Sequence, residues 1–207
     1  MFVLKTMFKI LKELLKNKEL MFKIKNKIIL DVVVFGSAIK GKEKPNDLDI
    51  LILYKDKVDT ELNYIIKNTI KDFKVQIISK TYKELFKEDF LAREAFLGEG
   101  YSLVNNKLIS KGLGYESLVL FKYNLKGFPN SRRMLFYYAL YGRNKSKGIL
   151  NKLNSIKFSD TVFLVPIENK EKFKEFLDYW KIQYIEFQIL LPLRIVESDI
   201  FKNSRFA

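Results

Sequence analysis

The sequence predicts a mixed α/β protein, α+β in organisation, with a mixed sheet flanked by helices and a second small α/β domain at the C-terminal end. Two short, almost continuous apolar runs at residues 28–35 and 48–54 lie close together, and a third strand-like run at 73–79 follows a segment of helical period. After about residue 113 the texture changes. Apolar runs of this length are strands covered on both faces, and the interleaved helices supply the cover.

Residues 3–22 place Leu4, Met7, Phe8, Leu11, Leu14 and Leu15 at helical spacing, with Lys5, Lys9, Lys12 and Lys16 opposite. This is an amphipathic helix, either docked on a core or lying on a membrane or nucleic-acid surface. Its lysines interrupt any signal-peptide core, and no small-residue cleavage site follows. Ile28 to Phe35 is the first strand, stopped by Gly36. A turn-rich segment, Gly41 to Asn46, contains Pro45. Asp47 then opens the run Leu48 to Tyr54, interrupted only by Asp49. Residues 59–72 read as a helix with Leu62, Ile65, Ile66 and Ile70 as its stripe, and Phe73 to Ser79 as a strand. Thr81 and Glu84 have the spacing of a capping box opening a helix to about Leu97, ended by Gly98 and Gly100.

Beyond residue 113, Tyr115 to Asn124 and Ser131 to Gly142 look helical, separated by Gly127 and Pro129. Thr161 to Val165 reads as a strand stopped by Pro166, Glu168 to Lys181 as a helix, and Ile182 to Leu191 as a strand stopped by Pro192. The expected division is an N-terminal helix at 1–27, a first domain at 28–112 and a C-terminal α/β domain at 113–207. No internal repeat or low-complexity linker separates them.

Composition narrows the chemistry. The 207 residues include no cysteine and no histidine, which excludes disulfides, thiolate chemistry and histidine bases. Metal chemistry must then use oxygen ligands, which favours Mg²⁺ or Mn²⁺. No stretch reaches the roughly 18–20 apolar residues of a membrane span, so the expected location is the cytoplasm. The formal charge of +14 suits a polyanion such as RNA or DNA. Only six of the 38 basic residues are Arg, however, and a compositional bias toward Lys explains the charge equally well.

The informative segment is Val34-Phe35-Gly36-Ser37, nine further residues, then Asp47-Leu48-Asp49-Ile50. A strand ending in Gly-Ser turns tightly, and glycine removes the Cβ that would block a phosphate. Amides after the turn and the Ser37 hydroxyl can cradle a triphosphate. Asp47 and Asp49 alternate along a strand, so both carboxylates point to one face. Two acids beside a phosphate cradle can hold one or two Mg²⁺ ions and align an in-line displacement. An otherwise apolar strand has no structural use for them, since like charges side by side are costly without a shared cation.

These residues resemble the signature of the DNA polymerase beta-like nucleotidyltransferase superfamily. Gly36-Ser37-Ala38-Ile39-Lys40-Gly41 and Asn46-Asp47-Leu48-Asp49-Ile50 are most similar to the minimal nucleotidyltransferases of archaea and bacteria, over roughly residues 28–80. The resemblance implies transfer of a nucleotidyl group from a nucleoside triphosphate to a hydroxyl, with release of pyrophosphate. Gly36 and Ser37 would hold the triphosphate, Asp47 and Asp49 the metals, and Lys40 either touches a phosphate or is one more solvated lysine. One departure stands out. The third carboxylate of that pattern, expected on the strand Phe73 to Ile78, is replaced by Gln76. Glu99, between Gly98 and Gly100, is the best substitute, with Asp72 behind it.

Three of the six Arg fall within Ser131 to Arg143. Arg132, Arg133 and Arg143 with Tyr137 and Tyr141 suit phosphate contacts and base stacking; an amphipathic core helix with half-buried tyrosines is the alternative. Three functions stay open at this point: a nucleotidyltransferase acting on an RNA or DNA end, with a protein acceptor as the variant; a catalytically weak module of the same fold that binds nucleic acid; and an antitoxin-like protein that modifies a partner protein.

Overall fold

A computed structural model describes residues 12–42, 45, 47–70, 73–144 and 146–198. The chain forms two compact units, Met1–Leu113 and Gly114–Ala207.

In the first unit, α1 (Lys18–Lys25) precedes β1 (Ile29–Phe35), and a 3₁₀ turn at Gly36–Ala38 leads toward β2 (Asp47–Tyr54). Next come α2 (Thr60–Thr69), β3 (Lys74–Thr81), a 3₁₀ turn at Tyr82–Phe86 and α3 (Arg93–Glu99). The short β4 (Tyr101–Ser102), β5 (Lys107–Leu108) and α4 (Ile109–Gly112) close the unit. The sheet runs β3-β2-β1-β4-β5. β2 is antiparallel to β1 and parallel to β3, so the sheet is mixed.

The strands follow from their sequence. β1 and β2 are buried along nearly their whole length, as a run of Val, Ile and Leu requires. Val33, Phe35, Leu51 and Leu53 form one core with Leu85 and Phe90, and Ala92, Ala95 and Phe96 around α3 pack against it. Each such side chain contributes about 1.5–3 kcal/mol on burial. On the opposite face of the strands Val32, Val34, Ile50 and Ile52 are fully buried.

Two expected helices are interrupted. Residues 3–11 of the first lie outside the described residues. The helical turn at 12–15 stops before Asn17, which caps a new helix by accepting from the Leu20 amide at 3.0 Å. The capping box at Thr81 exists, with its amide donating to Glu84 Oε2 at 2.7 Å, but it opens only the 3₁₀ turn. Lys87 then turns extended, and Phe90 folds into the core before α3 begins.

The second unit contains β6 (Tyr115–Asn124), α5 (Asn130–Tyr141), the hairpin β7 (Gly142–Arg143) and β8 (Ser146–Lys147), and α6 (Ile149–Lys152). It continues with β9 (Ile156–Ser159), β10 (Val162–Pro166), a 3₁₀ turn, α7 (Lys170–Tyr179), β11 (Gln183–Pro192) and α8 (Leu193–Val196). Its main sheet runs β11-β6-β10-β9, antiparallel throughout. Interleaved strand–helix–strand units in this order form the split βαβ, or ferredoxin-like, arrangement.

Tyr115 to Asn124, expected as a helix, is therefore a strand, and a central one. It pairs residue for residue with all ten residues of β11. Val119, Phe121 and Tyr123 alternate onto one face, and β-branched and aromatic residues favour that pleated surface. Phe121, Tyr123, Phe136, Phe163 and Phe173 build an aromatic core; Phe121 meets Phe173 edge to face at 4.9 Å between ring centroids. The other segments of this half hold the expected type, and the short β7, β8 and β9 join them.

Candidate active site

The site grows from the ends of β1 and β2. Phe35 pairs with Asp49, so the chain leaving β1 turns directly beside that carboxylate. The turn begins at Gly36, whose φ of +81° lies in the left-handed region. A Cβ placed there would stand 2.5 Å from Asp49 Oδ2. Glycine is thus required twice, by the backbone angle and by the approach of the carboxylate. The Ile39 amide closes the 3₁₀ turn on the Gly36 carbonyl at 3.1 Å. Within that turn the Ser37 hydroxyl oxygen is buried and has no hydrogen-bond partner, a cost of about 1–3 kcal/mol when nothing pairs with it.

Asp47 and Asp49 continue along β2 the face that carries Leu51 and Leu53, and both are half-buried where the intervening Leu48 and Ile50 are fully buried. Among the described residues no hydrogen bond or ion pair reaches either carboxylate. Burial pushes the Asp49 carboxyl above the ordinary aspartate range; Asp47 and Glu99 add to the rise and Lys40 opposes it. Asp49 therefore sits in the field of two further acids and one ammonium.

Lys40 leaves the same turn and pairs with Glu99 Oε1 at 2.9 Å. Glu99 is only 7% exposed, at the last residue of α3, whose Phe96 anchors the helix on the core beneath Asp49. Gln76 lies on the parallel neighbour strand at the position paired with Asp49, and its side chain is exposed. Asp72 and Asn46 lie outside the described residues.

The first unit thus brings Gly36, Ser37, Lys40, Asp47, Asp49 and Glu99 to one end of its sheet. Among the described residues no three acids stand together as a ready-made cation site. A divalent ion fits the pair Asp47 and Asp49 nevertheless: both offer carboxylate oxygens on one strand face, among the described residues no cation is bonded to either, and the buried Ser37 hydroxyl in the adjoining turn is left without a partner.

The Arg and Tyr residues singled out in the second half have different surroundings. Arg132 donates to the Trp180 carbonyl at 2.9 Å and stacks over Phe128. Arg133 donates to the carbonyls of Phe128 and Leu125 and so fastens the loop before α5. Arg143 lies over the Tyr138 ring. Tyr137 and Tyr141 stack on each other, half-buried, with Tyr141 against Phe163 and Lys157. The guanidinium groups of Arg132 and Arg133 thus bond carbonyls of their own unit, and the rings of Tyr137 and Tyr141 pack within it.

One buried acid had no role assigned from sequence. Asp31 of β1 accepts from Ser102 Oγ at 2.6 Å, Asn105 Nδ2 at 3.3 Å and the Val32 amide at 2.8 Å, tying β1 to the turn after β4. An acid inside an apolar run is visible in sequence, but its partners more than seventy residues away are not.

A mixed sheet whose strand end turns through Gly-Ser against a pair of alternating aspartates defines a protein of nucleotidyltransferase fold. In agreement, residues 9–98 match the family described as Polymerase beta, Nucleotidyltransferase, and this segment is a nucleotidyltransferase domain of the polymerase beta-like superfamily. The match covers less than half of the chain and leaves the second unit outside it. No curated protein and no solved structure matches the sequence. Among the described residues no helix is long and apolar enough to cross a membrane.

Proposed function

We propose that the first unit transfers a nucleoside monophosphate from a nucleoside triphosphate to a hydroxyl acceptor. The observation that carries this reading is the contact of the Gly36 turn with the Asp49 carboxylate, next to Asp47 on the same strand face. The acceptor oxygen bonds to the α-phosphorus, the bond to the β-phosphate oxygen breaks, pyrophosphate leaves, and the hydroxyl proton passes to solvent or a carboxylate.

Each residue has a role in this scheme. Gly36 lets the turn lie against the Asp49 carboxylate, and Ser37 would donate its unpartnered hydroxyl to a phosphate oxygen. Lys40 places an ammonium within reach of the same phosphates. Asp47 and Asp49 would hold Mg²⁺ or Mn²⁺, which supplies neutralisation of the triphosphate and alignment for in-line attack. Gln76 accepts from a water or from the acceptor hydroxyl, without charge.

The net charge of +14 favours an RNA or DNA end as acceptor over a protein. Arg132, Arg133 and Arg143 already bond or stack within the second unit, so the acceptor preference follows from the overall charge and not from that segment. Gln76 supports a second reading, a site that binds nucleotide with little or no turnover and serves as a nucleic-acid or partner-protein module.

The test is label transfer from each α-labelled nucleoside triphosphate, with Mg²⁺ or Mn²⁺, into RNA, DNA ends and protein. Transfer that disappears in Asp49→Asn establishes the reaction and names the acceptor class. Nucleotide binding without transfer to any acceptor establishes the second reading.

A further inference from the structure

Lys40 and Glu99 stand where a plain structural ion pair is hard to justify. Glu99 is a nearly buried carboxylate at the last residue of a helix, where the backbone dipole disfavours negative charge. It also lies within the field of Asp49, as do Asp47 and the ammonium of Lys40, which is bonded to Glu99 itself. Replacing the pair by apolar residues would relieve all of these costs. The position on β3 paired with Asp49, by contrast, carries the neutral and exposed Gln76. The acid that this strand lacks is present on α3, tied to a lysine.

Lys40 also belongs to the phosphate side of the site. It leaves the turn that holds Gly36 and the unpartnered Ser37 hydroxyl, and its side chain keeps 26% exposure where that of Glu99 keeps 9%. A compact ammonium on a flexible stem exchanges partners without a backbone change.

Resting on the function proposed above, we infer that Lys40 is an exchangeable counter-ion, pairing with Glu99 in the nucleotide-free protein and moving to the triphosphate when it arrives, so that Glu99 is released as the third carboxylate of the metal site. Nucleotide and metal then assist each other through one lysine. By linkage, each raises the other's affinity by the same factor. In the absence of nucleotide the ammonium among the carboxylates holds metal affinity down.

The measurement is Mn²⁺ binding, followed by the free-ion paramagnetic resonance signal, with and without a non-hydrolysable ATP analogue, beside calorimetry of the analogue without metal. Lys40→Gln should bind Mn²⁺ alone about 5- to 20-fold more tightly than wild type and the analogue alone several-fold more weakly. Glu99→Gln should do the reverse: metal-free analogue affinity rises, because Lys40 is unpaired, and Mn²⁺ affinity with the analogue present falls about 10- to 100-fold. Lys40→Arg keeps the charge and should lie close to wild type, which separates exchange from misfolding. Should Lys40→Gln weaken both ligands, or leave Mn²⁺ affinity unchanged, Lys40 is a static partner and the inference is overturned. Asp49→Asn in the same titration separates the two levels. Full Mn²⁺-supported binding in that variant removes the active-site reading itself, whereas its loss together with same-sign effects at Lys40 removes the exchange alone.

Discussion

Two half-buried carboxylates on β-strands, one in each unit, are treated in opposite ways. Glu186 on β11 is approached by Lys170 at 3.0 Å and by Lys174 at 3.4 Å, both from the helix that packs above it. Asp49 on β2 has no lysine or arginine bonded to it among the described residues; its immediate neighbours are Asp47 and the backbone of Gly36. A fold that needs an acid for its own stability surrounds it with cations. Two acids kept together with no cation bonded to either among the described residues form the pattern of a candidate binding site rather than of a stabilising pair.

The same contrast runs through the rest of each unit. The second unit turns Arg132, Arg133 and Arg143 to its own carbonyls and rings, around a core of interlocking aromatics. Phe121→Ala there should cost about 3–5 kcal/mol, read by denaturant unfolding followed through Trp180, the chain's one tryptophan. A loss under 1 kcal/mol would mean that the aromatic core does not hold that unit together. In the first unit Gly36→Ala should cost about 1–2 kcal/mol for its positive φ alone. It should also abolish nucleotide binding, since the new methyl displaces the Asp49 carboxylate. Unchanged binding would separate that carboxylate from the site.

The sharpest form of the comparison is a difference in sign. Neutralising Glu186 by Glu186→Gln should destabilise its unit by about 1 kcal/mol. Asp49→Asn should leave stability unchanged or raise it by up to about 1 kcal/mol, because a carboxylate disfavoured by burial and by two like charges is removed. Losses of equal size in both would erase the distinction.

The smallest effect concerns a structural pair within the first unit. Lys23 bonds Asp59, which also caps α2 by accepting from the Glu61 amide at 3.0 Å. Lys23 holds the Asp59 carboxyl below the usual aspartate range. Stability from a depressed carboxyl is present above its unfolded value and lost as pH falls through the folded one. Asp59→Asn keeps the cap and should cost about 0.5 kcal/mol at neutral pH. The gap to wild type should close as pH falls below about 4. A gap that persisted at low pH would assign the loss to the cap instead.

Much of the first unit is legible in the sequence because its strands are short apolar runs bounded by turn residues. Gly36, Ser37, Asp47 and Asp49 stand out because each violates a local expectation: a glycine and a serine ending a buried strand, and two acids inside another. The pairing of Lys40 with Glu99 is not legible, since fifty-nine residues separate them and only the fold of α3 onto β1 and β2 brings them together. Tyr115 to Asn124 misleads for a related reason. Leu118 and Leu120 pack on one face and Val119 and Phe121 on the other, so the apolar middle of the strand hides the two-residue alternation that continues through Tyr123. Residues 82–97 mislead because a genuine capping box at Thr81 is followed by a single turn, and the demand to bury Phe90 ends it.

The most direct test of the central claim is calorimetric titration of ATP in the presence and absence of Mn²⁺ into wild type, Asp47→Asn and Asp49→Asn. Mn²⁺ should strengthen ATP binding in the wild type, and this enhancement should fall by about 10- to 100-fold or more in either variant, with both variants fully folded. Equal Mn²⁺ enhancement in all three proteins would contradict that claim.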